Sequence, residues 1–149
     1  MKSFMRLAVG AAFAACALVS NAAEGWLTDV DAGIAKAKET KKSVMVEFTG
    51  SDWCPPCIMM GKEVFGKEEF VKKASEKYVL VKIDIPKKDP ELTEKNRPVM
   101  KKYNVSGVPT VVLLDGEGKE FDRFTASKYR TVETFIEQLN KSLEKKAME

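Results

Sequence analysis

The chain has 149 residues, of which 44% are hydrophobic and 32% charged, and this composition is typical of one globular domain rather than of a disordered or fibrous protein. Its 25 basic and 22 acidic residues give a formal net charge of +3, with the lysines spread among acidic residues. This balance excludes the strongly basic surface that is typical of nucleic-acid-binding proteins.

Residues 1–22 have the layout of a secretory signal peptide. Lys2 and Arg6 form a basic start, an uninterrupted apolar run follows, and small residues then stand where a signal peptidase would cleave. The apolar run is too short for a comfortable membrane span. We therefore predict a signal peptide that is cleaved near Ala22, and one domain over 23–149 whose net charge is about +1.

Cys16 lies within this apolar run and is one of three cysteines in the chain. Small residues precede it, as they precede the cysteine of a lipoprotein, but Phe13 is a poor match three places before such a cysteine. We therefore assign Cys16 to the leader and keep lipid anchoring through it as an alternative. The chain ends without a retention signal of the KDEL kind, which favours a bacterial periplasm over a eukaryotic secretory pathway.

The elements predicted after the leader alternate between helices and strands. Hydrophobic periodicity and β-branched runs predict, in chain order, a helix over 29–41, a strand over 43–49, a helix from Cys54 towards Val64, a helical stretch over 67–77, a strand over 78–85, a polar linker over 86–90, a helix over 94–103 that Pro98 would weaken or shift at its start, a strand over 110–114, a hairpin partner over 119–124 and a helix from about Thr131. The last helix carries one apolar stripe, which we interpret as core: Val132, Phe135, Ile136, Leu139 and Leu143. This order implies a mixed sheet with helices on both faces.

Cys54 and Cys57 are the only sulfur pair that remains once the leader is removed. A disulfide between cysteines separated by two residues closes too short a loop to stabilise a fold much. In an oxidising compartment the pair is therefore expected to be redox-active. Cys54 would lie exposed at a helix N-terminus, where free amides and the helix dipole lower a thiol's pKa. We therefore predict Cys54 as the attacking thiol and Cys57, one turn further on and shielded, as the resolving thiol.

Three segments together resemble the thioredoxin superfamily: VEF at 46–48, WCPPC at 53–57 and GVPT at 107–110. A lone CxxC pair is shared with zinc sites, but a WCxxC about fifty residues before GVPT, each at a strand end, is specific. The resemblance covers nearly the whole mature chain. It implies an α/β thioredoxin fold, with a central mixed β-sheet flanked by helices on both faces, and an exported thiol–disulfide oxidoreductase.

The resemblance also implies a substrate-binding surface. Pro109 matches the family's cis-proline, and X-Pro bonds are where cis peptides are found. In the family this proline places the backbone of the preceding residue, here Val108, against the dithiol, where a substrate strand pairs. Trp53 matches the tryptophan that packs beside the dithiol and shields it.

A proton path is implied by Glu47 and Lys82. Glu47 matches the family's buried carboxylate behind the resolving cysteine, a position that is Asp in thioredoxin itself and Glu in many exported relatives. A carboxyl group in apolar surroundings has a raised pKa and can relay the proton that Cys57 loses. Lys82 in the next strand matches a lysine that pairs with this carboxylate. The alternatives are a solvated Glu47 at a sheet edge and a Lys82 that does not pair with it.

Pro55 and Pro56 bear on the direction of electron flow. Neither proline has a backbone N–H to donate to a Cys54 thiolate, and the chain contains no histidine to supply an imidazolium. A less stabilised dithiol form has a more negative potential, and ~30 mV corresponds to ~1.4 kcal/mol for this couple. We therefore predict a reductant, similar in this respect to thioredoxin and to exported TlpA-like reductases, rather than a strong oxidant.

The leading hypothesis is thus an exported enzyme that reduces disulfides in periplasmic proteins. A disulfide isomerase or oxidase with the same site is an alternative, although no extra dimerisation domain is present. A non-catalytic thioredoxin-fold binding module is a second alternative. A metal-binding or copper-delivery module is disfavoured, because such proteins typically add a histidine or further sulfur ligands to the cysteine pair.

The expected partners are protein thiols and disulfides, together with an upstream electron donor in the membrane that reduces the pair again. No metal is expected, and no cofactor beyond the disulfide between Cys54 and Cys57. We expect a monomer, with no nucleic-acid partner and no stable membrane insertion of the mature chain.

Two departures from the family pattern lie near the site. The charged stretch Pro86–Arg97 is longer than in thioredoxin, and residues 49–51 replace its usual Trp-Ala run with one extra residue. Asp52, which precedes the tryptophan, is interpreted as a solvated side chain. These departures leave the partner of the enzyme open.

Overall fold

Residues 25–149 are described by a computed structural model of the protein. The predicted signal peptide, its cleavage near Ala22 and the leader cysteine Cys16 lie outside these residues. Within them, no helix has both the length and the apolar character needed to cross a membrane.

The described residues form a five-stranded mixed sheet with helices on both faces, so the predicted α/β class is confirmed. The elements are β1 (Trp26–Leu27), α1 (Val30–Thr40), β2 (Ser43–Thr49), α2 (Pro55–Met60), a π-helical turn (Gly61–Phe65), α3 (Glu68–Ala74), β3 (Tyr78–Asp84), α4 (Pro90–Lys102), β4 (Thr110–Leu114), β5 (Glu120–Thr125), a 3-10 turn (Ala126–Lys128) and α5 (Val132–Met148). The strand order is β1-β3-β2-β4-β5. The first three are parallel, and β4 and β5 each run antiparallel to their inner neighbour.

The helix starts follow from capping side chains. Asp29 accepts the backbone N–H of Ala32 over 2.7 Å at the start of α1, and Thr131 and Thr134 form a reciprocal capping box at the start of α5. Lys41 ends α1 in the left-handed conformation with φ of 57°, where a residue can donate back to the last turn. These caps place both helices within a residue of their predicted bounds.

The predicted start of α4 was wrong. The helix begins at Pro90, four residues before the expected start, because Asp89 caps it by accepting the N–H of Leu92 over 3.1 Å. Pro90 occupies the first turn, where a missing N–H costs nothing. Pro98 lies inside the helix, where it removes one backbone donor without ending the helix.

The helix that follows Cys54 also differs from its prediction. The helix that was expected to run from Cys54 towards Val64 continues as a π-helical turn over Gly61–Phe65, closed by a hydrogen bond from the Gly66 N–H to the Gly61 carbonyl over 2.8 Å. Helical backbone therefore extends without a break from Pro55 to Phe65. Such π turns are frequent near functional sites.

Two separate cores fill the two faces of the sheet. The face covered by α2, the π turn, α3 and α5 holds an aromatic core that includes Trp26, Phe65, Phe70 and Phe135. The predicted stripe of α5 belongs to this core, with Val132, Phe135 and Leu139 buried and Ile136 and Leu143 packed against it. The opposite face, covered by α1 and α4, holds an aliphatic core around Phe48.

Candidate active site

Cys54 and Cys57 lie at the start of α2 and are joined in a disulfide, with their Cα atoms 5.2 Å apart. Cys54 is the N-cap of the helix, with extended backbone angles of φ −99° and ψ 106°, and Pro55 and Pro56 fill its first two positions. Its sulfur accepts the backbone N–H of Cys57 over 3.3 Å. The Cys54 sulfur thus lies at the positive end of the helical segment, with one backbone donor directed at it.

The expectation that Cys54 is exposed was wrong. Its exposed fraction is 4%, against 2% for Cys57, so burial does not distinguish the two thiols. The cause is the loop on the other side of Cys54, because the Val108 carbonyl oxygen lies 3.8 Å from its sulfur. The two sulfurs differ instead in their backbone donors, since the Cys57 sulfur accepts the N–H of Gly50 over 3.5 Å.

The loop before β4 faces the Cys54 sulfur. The peptide bond between Val108 and Pro109 is cis, the isomer that the family resemblance implies. Val108 is half-buried, and the carbonyl of Pro109 accepts the N–H of Ala126 over 3.1 Å. The structure therefore brings Val108 and Pro109 together with the cysteines, about fifty residues away in sequence.

Glu47 lies buried beneath α2, with an exposed fraction of 3%. Side chains of β2 alternate between the two cores, and Met45, two residues earlier, belongs to the aromatic core on the α2 side. Glu47 therefore points to the same side as α2. Burial raises the pKa of Glu47 from 4.5 to about 7; the Lys82 charge lowers it in part and the Asp84 charge raises it.

A cleft of about 590 Å³ connects Glu47 with the helical segment of the dithiol. Its lining includes Glu47 and Lys82 on the sheet, and Gly61 and Phe65 on the π turn. Gly61 follows Cys57 by one turn and donates its N–H to the Cys57 carbonyl. The buried carboxyl group thus shares one cavity with the helix that carries the resolving cysteine.

Lys82 does not make the direct ion pair with Glu47 that the resemblance implies. The two residues are aligned as neighbours across β2 and β3, and both line the cleft. Yet the ion pairs within 4.0 Å among residues 25–149 do not include them. Lys82 therefore acts on Glu47 through its charge across the cleft rather than through a contact.

Trp53 covers the backbone next to the dithiol and keeps 38% of its surface exposed. Its indole N–H donates to the Ile85 carbonyl over 2.7 Å, which fixes the ring. A Cβ atom at Gly50 would overlap the indole, so only glycine allows this close approach. Gly50 in turn directs its N–H at the Cys57 sulfur, so the tryptophan packs on the residue that contacts the resolving cysteine.

The sequence suggested that Asp52 is merely solvated, but in the structure its side chain makes two hydrogen bonds. Its two carboxylate oxygens accept the backbone N–H groups of Lys87 and Lys88, each over 2.8 Å. The Lys87 hydrogen bond is the main cause that lowers the pKa of Asp52. Asp52 therefore anchors the loop after β3 to the loop before the dithiol.

Comparison with known proteins finds similarity to thioredoxin-like proteins. A family model described as thioredoxin-like matches residues 25–116. The chain is 36% identical over 90 residues to the disulfide bond reductase DsbH of Chlamydia pneumoniae, covering 58% of this chain and 54% of that protein. It is 32% identical over 101 residues to the thioredoxin-related protein DsbJ of the same organism, covering 66% of this chain and 29% of that protein.

A solved structure titled DsbH oxidoreductase is similar over almost the whole chain. The two share a TM-score of 0.71 and 27% sequence identity, with 95% of each chain covered. The similarity therefore includes both the dithiol segment and the terminal helix. The two curated relatives are longer, because the chain spans only about half of one and less than a third of the other.

Proposed function

The chain belongs to the thioredoxin-like family, and from that premise we propose that it is an exported thiol–disulfide oxidoreductase that reduces disulfides in other exported proteins. The observation that carries the proposal is the disulfide at the N-cap of α2, 3.8 Å from the carbonyl of the residue before Pro109. A similar protein named a disulfide bond reductase supports the direction.

The reaction follows from the two sulfurs. In the reduced protein, the Cys54 thiolate attacks one sulfur of a partner disulfide, and a mixed disulfide forms as the other partner sulfur leaves as a thiolate. Cys57 then attacks the Cys54 sulfur, which releases the second partner thiol and forms the Cys54–Cys57 disulfide. Two electrons pass to the partner, and an upstream donor in the membrane returns two electrons to the pair.

The helix terminus activates Cys54 in this scheme. The free N–H of Cys57 and the positive end of the helical segment stabilise a thiolate at Cys54. Val108 supplies backbone groups to which the partner chain hydrogen-bonds, and Trp53 and Pro109 border the same surface.

Glu47 takes the proton in the second half of the reaction. Cys57 must lose its proton to attack, and a carboxyl group with a pKa of about 7 can accept a proton and release it near neutral pH. The shared cleft with Gly61 gives this proton a route away from the helix. Lys82 assists by favouring the ionised form of Glu47.

The direction of electron flow depends on how weakly the Cys54 thiolate is held. Pro55 and Pro56 remove two backbone donors from the first turn, which leaves the Cys57 N–H directed at the Cys54 sulfur. The chain also has no histidine. A thiolate with this little stabilisation favours the oxidised state of the pair, so the reduced protein is a good electron donor.

Insulin reduction tests the activity. The mature chain over 23–149 should precipitate insulin chains in the presence of a reductant, and Cys54→Ser should not. No reduction by the native chain would leave a non-catalytic binding module as the better account. Activity that persists in Cys54→Ser would contradict the role of Cys54 as the attacking thiol.

A redox titration against glutathione tests the direction. We expect a potential well below about −180 mV, the range of the isomerases. A value above it would reject the reductase and favour the isomerase or oxidase with the same site.

Export is tested on the natural protein. In a periplasmic fraction, its N-terminus should begin near Ala23, as cleavage after Ala22 requires. A chain that keeps Met1, or one that carries lipid at Cys16, would contradict this part of the proposal.

A further inference from the structure

A second groove adjoins the dithiol segment at Trp53. It has a volume of about 420 Å³, and its lining includes Trp53, Pro86, Lys87, Pro90, Glu94 and Arg97. All the lining residues except Trp53 and Ile85 belong to the Pro86–Arg97 stretch, the part of the sequence that is longer than in thioredoxin. The stretch forms the loop after β3 and the first two turns of α4, and the proposed chemistry gives it no role.

The walls of this groove are held in place before any partner binds. Asp52 accepts the N–H groups of Lys87 and Lys88, and Trp53 donates to the Ile85 carbonyl. On the helix side, the Thr93 hydroxyl donates to the Pro86 carbonyl over 2.5 Å. A preformed wall reduces the conformational entropy that a partner must overcome on binding.

The charge of the groove favours an acidic partner. The Lys87 ammonium lies 5.8 Å from the centroid of the Trp53 ring, and within residues 25–149 no carboxylate lies within 4.0 Å of it. Glu94 is already engaged by Arg97 over 3.2 Å. Both oxygens of Asp52, the other nearby carboxylate, already accept loop amides. The lining therefore presents two cations and one carboxylate, and the Lys87 ammonium has no carboxylate in direct contact among residues 25–149.

We propose that this groove binds the polypeptide segment beside the disulfide that is reduced, and that Lys87 selects segments carrying an aspartate or glutamate. The proposal rests on the proposed reductase activity, because the groove begins at the tryptophan next to Cys54. The exposed indole contacts the apolar part of the segment, and the lysine forms an ion pair with its carboxylate. Lys87 is thus a specificity-determining residue and takes no part in the exchange itself.

Matched peptide disulfides test the selection. Three peptides would be identical except for one residue, Asp, Ser or Lys, placed in turn at the two positions on each side of the cysteine. The kcat/KM of reduction is measured for the native chain and for Lys87→Gln and Lys87→Glu. The control is Lys36→Glu, which makes the same charge change at an exposed lysine of α1 that lines neither cleft.

At one or more positions, the native chain should reduce the Asp peptide roughly five-fold faster than the Ser peptide, the effect of one partly exposed ion pair. Lys87→Gln should remove this preference, Lys87→Glu should reverse it in favour of the Lys peptide, and Lys36→Glu should leave it unchanged. High salt should weaken the preference in the native chain, because exposed charges are screened.

The outcomes distinguish selection by Lys87 from the reductase activity on which it rests. Equal rates for the three peptides at every position, or the same shift in Lys36→Glu as in Lys87→Glu, overturn the selection by Lys87 while the reductase stands. Absence of Cys54-dependent reduction of the neutral Ser peptide overturns the reductase, and the selection with it.

Discussion

The two faces of the central sheet are built from the same strands, but β2 presents different side chains to them. Towards α1 and α4, β2 presents Val44, Val46 and Phe48, all fully buried and all apolar. Towards α2, the same strand presents Met45 and then Glu47, a buried carboxyl group. We call these the apolar face and the dithiol face. The difference indicates that the apolar face contributes stability, whereas burial of the charged form of Glu47 on the dithiol face costs stability at neutral pH. In the proposed mechanism, the same carboxyl group accepts the proton of Cys57.

The largest effect on stability is expected on the apolar face. Phe48→Ala should lower the free energy of unfolding by about 3–5 kcal/mol, because a fully buried aromatic ring leaves a cavity there. Urea denaturation would measure the loss, which should be the same at pH 5 and pH 8. Insulin reduction per folded molecule should stay close to the native rate. A loss below 1 kcal/mol, or a loss that depends on pH, would contradict the division between the faces.

On the dithiol face, Glu47→Gln should remove a pH dependence. The pKa of Glu47 is about 7 in the folded protein and ordinarily 4.5, so between these values the folded protein keeps a proton that the unfolded chain has lost. The native protein should therefore lose on the order of 3 kcal/mol of stability as the pH rises from about 4.5 to above 7. Glu47→Gln should not show this loss, and urea denaturation at a series of pH values would measure the difference.

The control for this substitution is Glu39→Gln, at an exposed glutamate of α1. It should follow the native pH dependence. Glu47→Gln should also slow insulin reduction by roughly two orders of magnitude, the lower end of the usual contribution of a general base. A variant with native pH dependence and native activity would show that Glu47 is neither strained by burial nor part of the proton path.

Gly50→Ala probes the junction between the dithiol and Trp53. The new methyl group would overlap the indole, so the ring must move, and overpacking of this kind costs about 1–3 kcal/mol. We expect a change in tryptophan fluorescence, since Trp53 is the more exposed of the two tryptophans, and a slower insulin reduction. As a control for the fluorescence, Gly107→Ala is expected to leave the emission unchanged, because its Cβ would meet no other atom of the protein within 4 Å. Unchanged fluorescence in Gly50→Ala would contradict the packing described here.

The smallest effect is expected from Lys82→Met. The Lys82 charge lowers the pKa of Glu47 across the cleft, so its removal should raise that pKa. In Lys82→Met, the pH range over which stability is lost should therefore extend to higher pH than in the native chain. The variant should remain folded. A shift to lower pH in the same urea series would show that Lys82 does not favour the ionised carboxylate.

Much of the apolar face and of the dithiol was predictable from local sequence. The β-branched runs gave β2 and β4 with their observed bounds, because strands buried on both faces leave few polar residues to obscure them. Cys54, Cys57, Val108 and Pro109 carry sequence motifs. The burial of Glu47 was expected from the family resemblance, because the strand alone left a solvated edge position open.

The rest depends on contacts between distant segments. Asp52 anchors backbone amides 35 and 36 positions away, and no local pattern reports such a contact. The two residues of β1 become a strand only because β3 pairs with them. Burial of Cys54 likewise comes from the loop at Val108, so a position at a helix terminus was a poor guide to exposure. The early start of α4 had a local signal in Asp89-Pro90, an N-cap followed by a proline.

The roles of the two cysteines can be measured directly by trapping. Cys57→Ser lacks the resolving thiol, so mixed disulfides with exported proteins should accumulate at Cys54 and be released by a reductant. Cys54→Ser should trap far less, because Cys57 is the resolving thiol. Equal or greater trapping in Cys54→Ser, or none in Cys57→Ser, would contradict the assignment of Cys54 as the thiol that attacks partner disulfides.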